Sequence, residues 1–304
     1  MTRWHTKDLP GKDQTKGISH VVVGFAKSDS FNAESAPTYK PFEPVESLRE
    51  RFEPDTKVMF AIGGWGDTKG FGNAIKDEKT IEQYAKNVAA VVQDGGFDGV
   101  DIDWEYPGGN GDDYKKVPNS EKKPEIDAFP KFLAAIRKAL AKDKLLSIAT
   151  PGKKVDMIAY TKEHGKAISD AVDMVNVMSY DLINRRNEVT KHASSVEDSQ
   201  ACIQRYKDIG MPADKLNLGF AYYAKWFQTK EGADCKKKPL GCELADLETS
   251  TGGDTGKSGV LTFEKGTMGT VNTDDLKEST DGSCGYASKT KCPDGQCCSQ
   301  YGTW

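Results

Sequence analysis

Six short apolar runs, separated by loops and amphipathic stretches, limit what this chain can fold into more than any other feature. They are ISHVVVGFA (18–26), KVMFAIGG (57–64), GVDIDWE (99–105), LLSIAT (145–150), DMVNVMSY (173–180) and LNLGFAY (216–222). Near-continuous apolar strands belong to parallel sheets covered by helices. Helical stripes sit between most of them. Ile81, Tyr84, Ala85, Val88, Val91 and Val92 form one, with Gly95 and Gly96 as its stop. Ile126, Phe129, Phe132, Leu133, Ile136 and Leu140 form another. Pro130 is tolerated only in a first turn, so this helix is expected to begin later than its stripe. The alternation leaves two α/β architectures, a closed (β/α)8 TIM barrel or an open doubly wound sheet. A barrel needs eight strands and six are visible. On that architecture MTRWH is a remnant after a lost first strand, and the eighth strand lies near SGVLTFEK (258–265) or is absent.

A chain of 304 residues can bury a large core. With 42 basic and 46 acidic residues, and a net charge of -4, it has no bulk electrostatic reason to bind nucleic acid or an anionic membrane. No apolar run approaches the length of a membrane span, and MTRWHTKDLPGKDQ lacks the apolar core of a secretory signal. As written, the chain reads as soluble and untargeted.

The seven cysteines are unevenly placed. Cys202 sits in a helix-like stretch beside Ile203 and Tyr206, as a buried thiol would. Cys235 and Cys242 flank a polar loop and are placed to pair, which suits an oxidising compartment. Cys284, Cys292, Cys297 and Cys298 crowd the C-terminal stretch, where too little apolar material remains for an ordinary core. The expected division is therefore 1–280 for the barrel and 281–304 for a small disulfide module.

One apolar run carries three acids. In GGFDGVDIDWEYPGG, Asp101, Asp103 and Glu105 alternate with Val100, Ile102 and Trp104, so in a strand the acids share one face and the apolar residues the other. Helices cover the apolar face and leave the acids pointing inward, where only the C-terminal rim of a barrel admits catalytic groups. A single acid at a strand end more often caps a helix or solvates a rim. Three in alternation favour a site, whereas Asp98, of opposite parity, reads as structural. Like charges raise one another's pKa, so an acid held protonated can donate to a leaving group. Glu105, nearest the rim, has the reach for this work. Asp103, about 7 Å back, orients substrate, and Asp101 shares its proton. Carboxylates alone can hold a divalent metal, but the histidines His5, His20, His164 and His192 lie elsewhere, so metal ranks second.

These residues resemble the family 18 glycoside hydrolases, the chitinases and their endo-β-N-acetylglucosaminidase relatives. The family pattern Asp-Gly-x-Asp-x-Asp-x-Glu stands here as Asp98, Gly99, Asp101, Asp103 and Glu105, and Met-x-Tyr-Asp as Met178, Tyr180 and Asp181. AIGGWGDT is similar to the family's Ser-x-Gly-Gly segment, with Ala61 in place of the serine whose hydroxyl holds the inner aspartates in relatives. PNSEKKPEIDAFPKFL and KLNLGFAYYAKWF are especially similar to fungal chitinases. The resemblance implies cleavage of β-1,4 links between N-acetylglucosamine units with retention, without a cofactor, the sugar's own acetamido oxygen being the nucleophile. Glu105 is then acid and base, Asp103 accepts the acetamido N–H, and Tyr180 donates to the acetamido oxygen. Asp181 has a supporting role or caps its loop, and Met178 lines the cleft floor.

Trp65, Trp104, Tyr106, Tyr223 and Trp226 each follow or end an expected strand. Flat sugar faces stack on such rings, but parity sends Trp104 to the core; Trp65 and Trp226 are the expected platforms, with Tyr106 and Tyr223 beside them. The tail resembles a hevein-type chitin-binding module cut short, in which Ser299 and Tyr301 take sugar-contacting places and Thr303 stands where an aromatic often does. The expected partners are chitin or N-acetylglucosamine oligosaccharides, acted on by a monomer, extracellular in the parent protein or else cytoplasmic. The alternatives are an N-glycan endo-β-N-acetylglucosaminidase, a non-catalytic chitin-binding lectin and an inactive fragment. A lectin of this kind usually lacks the terminal glutamate kept here as Glu105.

Overall fold

The computed structural model of the protein describes residues 9–235, 238–262, 277–283 and 290–293. Two compact units divide the chain, Met1–Ala221 with Lys225–Gly259, and Tyr222–Ala224 with Val260–Trp304.

All six apolar runs supply strands to one parallel sheet. These are β1 (His20–Ala26), β2 (Lys57–Gly63), β3 (Gly99–Asp103), β4 (Leu145–Pro151), β5 (Met174–Met178) and β6 (Leu216–Leu218), and they lie in that spatial order. The connections carry α1 (Val45–Glu50), α2 (Lys69–Ala74), α3 (Glu78–Asp94), α4 (Lys123–Ala139), α5 (Gly165–Ala171) and α6 (Val196–Asp208). A doubly wound sheet reverses its strand order at a switch point, and this one does not. Consecutive parallel neighbours with helical crossovers are the repeat of a (β/α)8 barrel. Among the described residues six of its strands are paired, with β1 and β6 at the two edges.

The outward face of β3 packs as its parity requires. Val100 and Ile102 are buried, and Trp104, only 1% exposed, stacks on Phe71 of α2 at 5.2 Å. It also meets Phe129 and Phe132 of α4 edge-on, at 5.8 and 6.3 Å. Helix α3 starts where Asp77 accepts a hydrogen bond from the Thr80 N–H at 2.8 Å, and it stops at the expected glycines. Helix α4 departs from expectation. It begins at Lys123, before its stripe, and carries Pro130 in its interior. An interior proline costs about 3 kcal/mol. Phe129, Phe132, Leu133 and Ile136 are all buried beside it, and each such side chain contributes about 1.5–3 kcal/mol, so the packing outweighs the lost hydrogen bond.

The end of the sixth run also differs. Only Leu216–Leu218 is strand. Gly219 lies against the Tyr180 ring, where a Cβ would come within 2.7 Å of Cε1, and beyond it Phe220 and Tyr222 are exposed. YYAKWF is therefore not the end of this strand. It supplies β7 (Tyr223–Phe227), hydrogen-bonded to β8 (Ser258–Thr262) in a separate two-stranded sheet. SGVLTFEK thus contains a strand, but one that does not join the six-stranded sheet. A small second core of Ile183, Leu244 and Leu247, with Ala193 and Phe227 against it, lies outside the main one. Nearby in sequence, Cys235 and Cys242 form a disulfide with Cα atoms 5.7 Å apart. Cys202 is buried.

In the second unit, β9 (Lys277–Glu278) pairs in parallel with β10 (Thr290–Lys291). Cys292 has no disulfide partner among the described residues. MTRWH, and Cys284, Cys297, Cys298, Ser299, Tyr301 and Thr303 of the expected hevein-type module, lie outside them.

Candidate active site

Strand β3 runs from a structural end to a chemical one. At its start Asp98 pairs with Arg49 at 2.8 Å and accepts the Val58 N–H at 2.7 Å, tying the strand to its neighbours. Farther along, Asp101 and Asp103 are buried on the inner face, and Glu105 stands half-buried just past the last strand residue. Register aligns Ala61, Asp101 and Ser147 across β2, β3 and β4. The Ala61 methyl has no donor to offer. Asp101 instead accepts from the Ser147 hydroxyl, and from Asn176 Nδ2 at 3.0 Å. Asn217 donates to Asn176 Oδ1 at 3.0 Å, which fixes that amide's orientation. Even so, burial holds the Asp101 carboxyl above its usual range.

Asp103 is less well provided. Its Oδ1 is buried with no hydrogen-bond partner among the described residues. Burial first, then the charges of Glu105 and Asp101, push its carboxyl well above the ordinary value. Glu105 is raised to about 7, chiefly by burial; Asp181 and Asp156 add to this, against a hydrogen bond with the Tyr106 hydroxyl. Tyr180 is raised by burial and then by Asp103, Glu105, Asp181 and Asp101, so its hydroxyl stays protonated and available as a donor. Asp181 adopts a left-handed backbone, φ 52°, which breaks the strand's alternation as the chain leaves β5. Lys225 of β7 pairs with its carboxylate at 2.9 Å.

Two glycines bring β2 and β3 together at this rim. Gly63, at φ 107°, lies where any Cβ would strike the Asp103 carbonyl, and the Gly64 N–H donates to that same carbonyl at 2.9 Å. The chain then presents Trp65, 42% exposed, edge-on to Tyr106 at 6.4 Å between centroids. Met178 is half-buried and pairs in register with Pro151.

The structure thus gathers Asp101, Asp103, Glu105, Tyr106, Tyr180, Asp181 and Trp65 around the end of β3. Trp226 is 41% exposed on β7, its indole against Gly259, and so stands on the separate two-stranded sheet. Tyr223 belongs to the second unit. Sequence reasoning missed Ser147, Asn176, Asp156, Arg186 and Lys225. Ser147 and Asn176 were signalled as polar residues interrupting apolar runs. The other three reach this region from loops and a separate strand, so no periodicity marks them.

Residues 1–302 match the profile of the Glycosyl hydrolases family 18. The chain belongs to that family. This family 18 chain is 28% identical over 220 residues to Chitinase 1 of Aphanocladium album, covering 67% of itself and 49% of that protein. The chain spans about half the length of the curated relatives it matches. Among solved structures it is similar to the chitinase domain of the spore coat protein CotE from Clostridium difficile. That match has 27% identity and TM-score 0.51, over 68% of this chain and 60% of the other. Catalytic domain 2 of the Ostrinia furnacalis Group II chitinase shares the fold, with TM-score 0.63 and 22% identity over 81% of this chain and 66% of that one.

Proposed function

We propose that this chain is an endo-acting chitinase that hydrolyses β-1,4 links between N-acetylglucosamine units with retention, by substrate-assisted catalysis. One observation carries this. Glu105 stands at the rim with a carboxyl raised to about 7, beside an Asp103 whose buried oxygen lacks a partner among the described residues. In its protonated form Glu105 donates to the glycosidic oxygen as the bond to C1 breaks. The acetamido oxygen attacks C1 and closes an oxazolinium ion. Asp103 accepts the acetamido N–H and steadies the positive ring, with Asp101 as its inner partner. Tyr180 donates to the acetamido oxygen and sets its angle of approach. Ionised Glu105 then takes a proton from water, which opens the ring with the original configuration at C1. Intramolecular attack benefits from proximity, worth several kcal/mol by the order of ~7 found in model reactions.

Trp65 and Tyr106 offer ring faces to the sugars, with Met178 below and Asp181 beside the reacting unit. Trp226, exposed on β7, is assigned to sugar binding as well. The substrate class is supported by likeness to proteins named as chitinases. Action outside the cell fits the Cys235–Cys242 disulfide.

The test is Glu105→Gln assayed on a nitrophenyl chitobioside and on chitotriose. Loss of release with oligosaccharide binding retained is expected; hydrolysis at the wild-type rate would overturn the assignment. Proton NMR of the first product should find the β-anomer.

A further inference from the structure

We propose that Asp67 is a positioning residue for Trp65, and that its two hydrogen bonds to Ser28 set how strongly the protein holds a chitin oligosaccharide. This rests on the assignment of Trp65 to sugar binding above and names the residue that aims its ring.

Trp65 rides on a turn of residues 64–67 that follows β2, in which the Asp67 N–H donates to the Gly64 carbonyl at 3.0 Å. Gly64 and Gly66 flank the indole at φ 89° and 87°. Neither glycine has a side chain to anchor, so the place of the turn is decided at its two ends. One end is the Gly64 N–H, bonded to the Asp103 carbonyl at 2.9 Å. The ring is thereby registered to the strand that carries the acids. The other end is the Asp67 carboxylate.

Asp67 reaches out of its own loop. Its Oδ2 accepts the Ser28 N–H at 2.8 Å, and its Oδ1 accepts the Ser28 hydroxyl at 2.6 Å. Ser28 opens the short helical turn Ser28–Asn32 that follows β1, where the first N–H groups have no partner inside the turn. Ser28 is 0% exposed, so water cannot replace the carboxylate. The two loops are in close contact around this pair. A Cβ on Gly70 would come within 2.2 Å of the Ser28 hydroxyl oxygen, and Asn32 Nδ2 donates to the Gly70 carbonyl at 2.9 Å. Asp67 thus clasps the rim of β1 to the rim of β2, two residues from Trp65.

What the clasp holds is not core. Trp65 is 42% exposed and meets Tyr106, the residue after Glu105, edge-on at 6.4 Å. Fixing an exposed ring adds little to folding. It matters to a ligand, because a ring already in place need not be ordered when the sugar stacks on it.

The experiment is a double-mutant cycle read by calorimetric titration of chitotetraose into Glu105→Gln, which needs no turnover. Trp65→Ala should weaken binding by about tenfold, the scale of a lost aromatic contact. Asp67→Ala should weaken it by about threefold or more while Trp65 is present, and by nothing further once Trp65→Ala has removed the ring. Asp67→Asn keeps an acceptor for the Ser28 N–H and should return affinity toward that of Glu105→Gln alone. If Asp67→Ala does not fold, Ser28→Ala removes the hydroxyl, leaves the N–H, and carries the same cycle with a smaller loss. A loss that is the same with and without Trp65, or no loss at all, would overturn the positioning role alone. Absence of chitotetraose binding in Glu105→Gln itself would overturn the substrate class, and the platform with it. A wild type that binds but does not hydrolyse, with the cycle as expected, would refute the catalytic assignment and uphold the clasp.

Discussion

The two ends of the acidic face of β3 are built on opposite terms. At the inner end Asp101 is fully buried but receives hydrogen bonds from Ser147 and Asn176, and Asn217 braces the second. At the rim Asp103 keeps an oxygen without a partner among the described residues, and Glu105 is raised to about 7. Satisfied buried polar groups specify a fold, whereas unsatisfied ones cost stability and persist where chemistry uses them. A few ångströms along one strand separate the two regimes. Changes at the rim should therefore remove activity, and changes at the inner end should remove stability.

The largest effect should come from Glu105→Gln. Loss of the proton donor lowers kcat by roughly 10²- to 10⁴-fold, read as nitrophenol release from an aryl chitobioside. Asp103→Ala should follow with roughly 10²- to 10³-fold, the scale seen when one preorganised electrostatic contact is removed. A wild-type rate in that variant would take Asp103 out of the mechanism. The pH profile sharpens the contrast, because the acid must be protonated to act. The rate should fall on the alkaline side through the pKa of about 7 carried by Glu105, which is raised first by burial. A limb unchanged up to pH 9 would break the link between burial and acid function.

The same raised pKa has a stability consequence of opposite sign to the usual carboxylate. Folded Glu105 binds its proton more tightly than the unfolded chain does, so stability falls as pH rises from 4.5 to about 7. The cost above that window is of order 3 kcal/mol. Glu105→Gln removes the charge, so its stability relative to wild type should grow between pH 5 and pH 8. Urea melts at the two pH values measure this, and a constant difference would sink it.

Much of this was legible in the sequence, for reasons that vary by residue. Val100, Ile102 and Trp104 against Asp101 and Asp103 follow from the two-residue period of a strand, which the parallel sheet preserves. The runs of β2, β3 and β4 announced their strands because burial on both faces demands near-continuous apolar sequence, while β1 and β6, at the edges, keep apolar runs that are partly exposed. Pro130 misled, since local propensity yields to a stripe that buries Phe129, Phe132, Leu133 and Ile136. YYAKWF, expected only to follow or end a strand, forms a strand of a separate sheet, because apolar and aromatic composition does not say which sheet a segment will join. Asp156, Arg186 and Lys225 carry no pattern at all; loops bring the first two together, and a strand of a separate sheet sets Lys225 beside Asp181.

The smallest expected effect tests the inner end. Ser147→Ala removes the hydroxyl that donates to Asp101 and leaves Asn176 as the donor seen there. Stripping one hydrogen bond from a buried carboxylate costs about 1–3 kcal/mol, and the Asp101 carboxyl, already raised by burial, should rise further. The loss should therefore shrink as pH falls, because protonation of Asp101 relieves its need for donors. The fall in kcat should be smaller than that of Asp103→Ala. Ala61 offers a control from the opposite flank, because register sets it beside Asp101 on β2. Adding Ala61→Ser to Ser147→Ala returns a hydroxyl to the same carboxylate and should recover part of the lost stability in urea melts. If the double variant is no more stable than Ser147→Ala, the deficit lies in packing of the buried Ser147 site, and the inner end is not held by its hydrogen-bond supply.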